Sequence, residues 1–175
     1  MAASPEDTTP ATITPPGRFS WLRIVDPAQW APDVALLQRD SAERLGFVRS
    51  FLRLPFGAGR LSLYQGYLDR LMRAPDGLLP PLERELLALV TSVENRCEVC
   101  ILSHATALRK YGMDPDVVDT MTLAWRRAPL SPRHLALANF ASRLTLAPAD
   151  VDETLLEGLR SAGLDEAAIF EAVQV

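Results

Sequence analysis

Residues 81–112 read PLERELLALVTSVENRCEVCILSHATALRKYG. Pro81 suits the first turn of a helix, and Leu82, Leu86, Leu87, Val90 and Val93 recur at helical spacing behind it. Glu94-Asn95-Arg96 interrupts the apolar pattern, and Asn95 is the expected N-cap of a second helix over 97–111, stopped by Tyr111-Gly112. At about 100° per residue, Cys97, Cys100 and His104 fall within roughly 60° on the helical wheel, so both sulfurs and the imidazole share one face. Glu85 stands on the preceding helix, with eleven residues between it and Cys97.

Outward from this stretch the pattern stays helical. Val34, Leu37 and Leu45 mark one helix, Phe47, Val48, Phe51 and Leu52 a connector, and Tyr64, Tyr67, Leu68, Leu71 and Met72 a longer helix. Asp114-Pro115 and Ser131-Pro132 open further helices, Asp150 with Glu153 reads as a capping-box start, and Gly163 followed by Asp165 ends one helix and begins the last. Apart from 88–93, which alone would pass for a strand, no segment has strand character, so the fold is expected to be all-α. Residues 1–17, rich in Ala, Ser, Thr and Pro, are expected to form a disordered tail, Trp21-Leu22-Arg23-Ile24-Val25 a short extended arm, and 18–175 a single helical domain.

A shift of 51 positions lays the chain on itself. Pro81 then faces Pro132, Leu86 faces Leu137, Leu108-Arg109 faces Leu159-Arg160, Gly112 faces Gly163 and Asp114 faces Asp165. Under the same shift Glu85 meets Ala136, Cys97 meets Pro148, Cys100 meets Val151 and His104 meets Leu155. The pattern predicts a duplicated three-helix unit whose second copy keeps the architecture and lacks the chemistry. Packing alone would have asked for similar residues in both copies.

With 175 residues, 48% of them hydrophobic, and a formal net charge of -4, the chain can bury one sizeable core and is not basic enough to suggest nucleic acid. Its apolar runs fall short of a membrane span, and no apolar run follows a basic patch at the N-terminus. A soluble cytoplasmic protein is expected, in a compartment that can recycle a dithiol.

The two cysteines are the only ones in the chain. Three positions apart at a helix start, they can close to a disulfide and reopen, while the N–H groups and dipole there favour thiolate. A neighbouring His can relay a proton to or from sulfur, and a carboxylate can hold its tautomer. The same residue types also ligate zinc, and a buried inert pair of thiols or a structural disulfide are further readings. His134 reads as a solvated first-turn residue, Trp21, Trp30 and Trp125 as core or interface anchors, and Arg126-Arg127 as surface charge. Phe47, Phe51, Tyr64 and Tyr67 are expected in the core rather than along an entry to the thiols.

Glu85-x11-Cys97-x-x-Cys100-x-x-x-His104, set within Arg84-Glu85-Leu86-Leu87-Ala88-Leu89-Val90 and Cys97-Glu98-Val99-Cys100-Ile101-Leu102-Ser103-His104-Ala105, resembles the alkylhydroperoxidase D-like branch of the carboxymuconolactone decarboxylase superfamily, in its peroxidase-related subgroup. Trp21-Leu22-Arg23, Leu45-Gly46-Phe47-Val48, Ala128-Pro129-Leu130-Ser131-Pro132-Arg133 and Leu144-Thr145-Leu146-Ala147-Pro148 extend the likeness over nearly everything after residue 20. The decarboxylases generally lack the cysteine pair. The resemblance implies a helical subunit assembled as a homotrimer or homohexamer that reduces hydroperoxides without a bound cofactor or metal. In that scheme Cys100 attacks the O–O bond, Cys97 resolves the sulfenic acid, and His104 with Glu85 relays protons. An external dithiol reopens the disulfide; in the best-studied branch the donor is a lipoyl-bearing protein. A dithiol–disulfide oxidoreductase, a redox sensor and a zinc-binding helical module are the alternatives. Val99 stands where some members carry a His, which implies a shorter relay, and the chain stops within the apolar run Phe170-Glu171-Ala172-Val173-Gln174-Val175, where relatives continue, so truncation or cover by a neighbouring subunit is expected there.

Overall fold

The computed structural model describes residues 22, 29–54 and 57–175, so the expected tail over 1–17 and most of the extended arm, Trp21 included, lie outside the described residues. The described residues hold helices and no strand, and the fold is all-α. The chain divides into two compact units, Met1–Tyr67 and Leu68–Val175.

In the first unit, α1 (Pro32–Leu45) and a 3-10 turn (Ser50–Arg53) bury Val34 and Leu52 together with Leu61, near the start of α2 (Arg60–Arg73). Gly46, at φ 75°, ends α1 in the left-handed conformation that glycine adopts without steric cost. Gln38 Nε2 donates to the Leu52 carbonyl at 2.6 Å, and the Asp33 carboxylate accepts from Gly59 N and Ser62 Oγ. Phe47, Tyr64 and Tyr67, expected in the core, are instead exposed, at 58%, 56% and 52%. Their helical spacing marks a face, and the spacing alone cannot say what that face meets.

The second unit is built from α3 (Pro81–Glu94), α4 (Glu98–Lys110), α5 (Pro115–Ala124), α6 (Pro132–Leu146), α7 (Glu153–Ser161) and α8 (Glu166–Gln174). Helices α6 and α8 begin 51 positions after α3 and α5, and α7 ends 51 positions after α4, as the internal match requires. Side-chain contacts carry the same relation. Glu94 accepts from Ser142 Oγ at 2.7 Å, and Thr145 meets Thr91 at 3.5 Å. Residues 91 and 142 are equivalent, as are 94 and 145, so each contact is the image of the other under exchange of α3 with α6. The two central helices therefore pack about a local pseudo-twofold axis. Leu86, Leu89, Val90, Leu108, Met121, Trp125, Leu137, Phe140 and Leu159 form the core around them.

Local signals set most of the helix ends. Asp114, Ser131 and Asp165 accept first-turn amides of α5, α6 and α8 as N-caps. The expected capping box at Asp150 and Glu153 is replaced: Asp150 lies in a 3-10 turn, and Asp152 caps α7 by accepting from Leu155 N. Asn95 is likewise not an N-cap. It ends α3, and Cys97 occupies the N-cap position of α4.

Helix α3 carries three consecutive charged residues into the core. Glu83 accepts a bidentate pair from Arg133 at 2.6 and 2.9 Å. Arg84, 1% exposed, donates to Glu171 of α8 at 3.0 Å and to the Ala74 carbonyl at 3.0 Å. Glu171 also accepts the Leu78 and Leu79 amides, so one carboxylate ties α8 to α3 and to the loop before it. A Cβ on Gly77 would coincide with the Arg84 guanidinium, which fixes glycine there.

Burial pushes the Glu171 carboxyl up, but the Leu78 and Leu79 amides and Arg84 outweigh it, leaving it below the usual 4.5. Because its folded value is depressed, its stabilisation is fully present above pH 4.5 and fades as pH falls through the folded value. Glu171→Ala, which strands a buried guanidinium, is expected to cost about 3 kcal/mol. Urea unfolding at pH 7 checks this, and the same titration on Glu171→Gln is expected to show a shallower loss of stability below pH 4.5 than the wild type.

Candidate redox site at the α3–α4 corner

The chain turns from α3 into α4 without a spare residue. Cys97 N donates to the Ser92 carbonyl and Arg96 N to the Val93 carbonyl, the paired bonds of a Schellman ending. Ile101 N then donates to the Cys97 carbonyl at 2.8 Å, the first bond of α4. Cys97 thus closes one helix and opens the next, and Cys100 lies within the first turn. A disulfide joins Cys97 to Cys100, with Cα atoms 5.3 Å apart. Both residues are half-buried.

Across from them, Glu85 Oε2 and His104 Nδ1 are 2.7 Å apart. The Glu85 side chain is 11% exposed and the imidazole 27% exposed. An ionised Glu85 accepts at Nδ1 and so selects the tautomer with its proton there, leaving Nε2 as the basic nitrogen. His104 stands one helical turn beyond Cys100 on the same face. The four residues singled out in the sequence therefore form two bonded pairs: a disulfide at the corner and a carboxylate–imidazole pair between α3 and α4.

The end of α3 is held by a second polar group that sequence reading passed over. Glu94 Oε1 accepts from Trp125 Nε1, Arg126 Nη2 and Ser142 Oγ at 2.9, 2.9 and 2.7 Å. Burial pushes the Glu94 carboxyl up, while these donors bring it below the usual range. Arg126 and Arg127 are exposed at a helix end, as expected; Arg126 also lies over the Trp125 ring at 4.4 Å, and Trp125 is a core anchor as expected. His134 is a first-turn residue of α6, but it is partly buried with Nε2 at 4.0 Å from Glu83, its equivalent position across the pseudo-axis. The matching surface of the second copy is an open groove lined by Pro132, Ala136, Asn139, Arg143, Leu155 and Gly158, without a thiol or imidazole. Among the described residues, no three His, Cys, Asp or Glu side chains converge as metal ligands.

Residues 61–143 match the carboxymuconolactone decarboxylase family. An uncharacterized peroxidase-related protein from Silicibacter sp. TM1040 is 30% identical, with a TM-score of 0.74 over 87% of this chain and 79% of that one. The alkylhydroperoxidase AhpD core of a peroxidase-related protein from Ralstonia eutropha JMP134 is 27% identical, with a TM-score of 0.72 over 86% of this chain and 80% of that one. The chain belongs to the carboxymuconolactone decarboxylase family, with the alkylhydroperoxidase D-like fold. The debrominase Bmp8, solved with 2,3,4-tribromopyrrole, shares the fold at 17% identity and a TM-score of 0.65, covering 87% of this chain and 80% of that one. A comparison with curated proteins finds no match. Family and relatives point to an enzyme, peroxidase-like or decarboxylase-like. Among the described residues no helix is long and apolar enough to cross a membrane.

Alkylation followed by mass spectrometry checks the redox state of the pair. Air-exposed protein is expected to take up no iodoacetamide at Cys97 or Cys100, and protein treated with dithiothreitol to take up two labels per chain.

Proposed function

We propose that the protein reduces hydroperoxides, organic ones included, at the Cys97–Cys100 dithiol, with His104 and Glu85 as the proton relay. The observation that supports this reading best is the 2.7 Å Glu85–His104 contact beside the C-x-x-C pair. In the second copy, the equivalent positions hold Ala136, Pro148, Val151 and Leu155. The peroxidase-related relatives at 30% and 27% identity carry the same direction.

His104 Nε2 takes the proton of Cys100, and the thiolate attacks the distal oxygen of ROOH; the O–O bond breaks, Cys100 becomes a sulfenic acid and the alkoxide leaves as ROH on taking that proton from His104. His104 then takes the proton of Cys97, whose thiolate forms the S–S bond with Cys100 and displaces hydroxide, which leaves as water on receiving that second proton. An external dithiol then reduces the disulfide and is itself oxidised to a disulfide. Glu85 holds the imidazole through Nδ1 and offsets its positive charge while it carries the second proton. Val99 in place of a second imidazole makes His104 the only histidine on this helix, so the whole relay passes through it.

A cytoplasmic setting suits a donor of this kind, a lipoyl-type dithiol among them. Self-association as a trimer or hexamer suits the apolar side chains on α2, where Leu63 is 78% exposed. A dithiol–disulfide oxidoreductase or sensor that never turns over peroxide is the competing reading, because it needs the same corner and no substrate pocket.

With a dithiol donor and cumene hydroperoxide supplied, Cys100→Ser is expected to abolish peroxide consumption. Cys97→Ser should permit a single turnover that stops at a dimedone-reactive sulfenic acid. His104→Ala and Glu85→Gln should lower turnover by about 10²-fold. Disulfide cycling with a donor but no peroxide consumption would favour the sensor reading.

A further inference from the structure

The two cysteines hang from different helices. Cys97 belongs to the end of α3: its amide donates to the Ser92 carbonyl at 3.0 Å, and the Asn95 and Arg96 amides donate to the Thr91 and Val93 carbonyls, also at 3.0 Å. Cys100 belongs to the first turn of α4, the helix that Glu85 holds through His104. Once the disulfide is reduced, how well the two sulfurs are presented to each other depends on how firmly the last turn of α3 is fixed.

Glu94 is the final residue of that turn. A carboxylate there faces the negative end of the helix dipole, and this one is only 12% exposed. Donors from two other elements hold it: Trp125 Nε1 and Arg126 Nη2 from the 3-10 turn Trp125–Arg127 that follows α5, and Ser142 Oγ from α6. Arg126 Nη2 also reaches Ser142 Oγ at 2.9 Å, which ties the two elements to each other as well as to the carboxylate.

The second copy manages without such a group. Thr145 stands at the position equivalent to Glu94 and turns its hydroxyl to the Ala141 carbonyl of its own helix at 2.7 Å. A short hydroxyl therefore suffices near the end of α6, and the architecture by itself does not ask for a buried carboxylate at the end of α3. Glu85 and Glu94 share this property: each is a carboxylate that the half without cysteines replaces, by Ala136 and Thr145.

We infer that Glu94 is a positioning residue for the redox pair, pinning the last turn of α3 to Trp125, Arg126 and Ser142 so that Cys97 is held in place to attack Cys100. It acts through the short stretch of backbone from 94 to 97. This role rests on the dithiol reading and serves one of its steps. Attack on the peroxide uses Cys100 and His104. Disulfide closure, in which the S–S bond forms, the S–O bond of the sulfenic acid breaks and hydroxide leaves as water, also needs Cys97 in register with Cys100. Loosening the end of α3 slows closure and leaves the first step in place.

Equilibration with glutathione measures the effective concentration of one thiol toward the other: two glutathione thiols reduce the protein disulfide to the dithiol and form one oxidised glutathione. Glu94→Thr, which imports the residue of the second copy, is expected to lower that effective concentration about tenfold. Ser142→Ala, which keeps the carboxylate and removes a donor on α6, should shift it in the same direction, and Glu94→Gln, whose amide oxygen still accepts from Trp125 and Ser142, should stay closer to the wild type than Glu94→Thr. Asp165→Ala serves as the control, because it removes the cap of α8 and so weakens the fold away from the corner; it should leave the effective concentration unchanged. A value unchanged in whichever of Glu94→Thr and Ser142→Ala folds, or lowered as much by Asp165→Ala, overturns the inference. No peroxide is present, so failure of the peroxidase reading appears separately in the turnover assay.

Discussion

Helix α3 is buried along most of its length, and it can hold Glu83, Arg84 and Glu85 in succession only because each finds a hydrogen-bonding partner on a different element. Three adjacent positions span about 200° of a helix, so no rotation of α3 exposes all three. Glu83 is met by Arg133 of α6, Arg84 by Glu171 of α8, and Glu85 by His104 of α4. The first two pairs fix the helix against its neighbours. The third joins the carboxylate to one imidazole nitrogen and leaves the other ring nitrogen free of it, and that makes it available for chemistry. Glu85 therefore stays near His104 through a packing constraint, because α3 cannot turn.

The duplication shows what the architecture requires by itself. Equivalent helices, equivalent Schellman glycines and exchanged contacts between α3 and α6 recur in both halves. Where the first half carries two cysteines and an imidazole, the second carries Pro148, Val151 and Leu155, the last of them lining an open groove. The scaffold thus stands without the four chemical residues. Their cost also differs from that of the core: a buried carboxylate needs a partner, whereas Ala136 in the same place needs none.

Much of this was legible in the sequence because its signals are local. Proline at helix starts, Asp and Ser caps, and glycine ends located the helices of the second unit, and the spacing of Cys97, Cys100 and His104 put them on one face. The errors were local too. Asn95 offers a cap side chain, but the tight Schellman turn leaves it inside the end of α3, and Asp152 displaced Asp150 because the 3-10 turn shifts the start of α7. Arg84–Glu171, Glu83–Arg133 and the Glu94 group escaped because their partners lie from 31 to 87 residues away. Only the run of three charges at the start of an apolar helix hinted at them. The exposure of Tyr64 and Tyr67 was equally out of reach, since periodicity names a face and not its neighbour.

On the proposed reading, this corner activates sulfur toward the O–O bond. Stopped-flow mixing of the fully reduced protein with cumene hydroperoxide, followed through loss of free thiol, tests it most directly. The account predicts a second-order rate at least about 10²-fold above that of free cysteine at the same pH, with one disulfide formed per peroxide consumed. A rate no faster than free cysteine would contradict it.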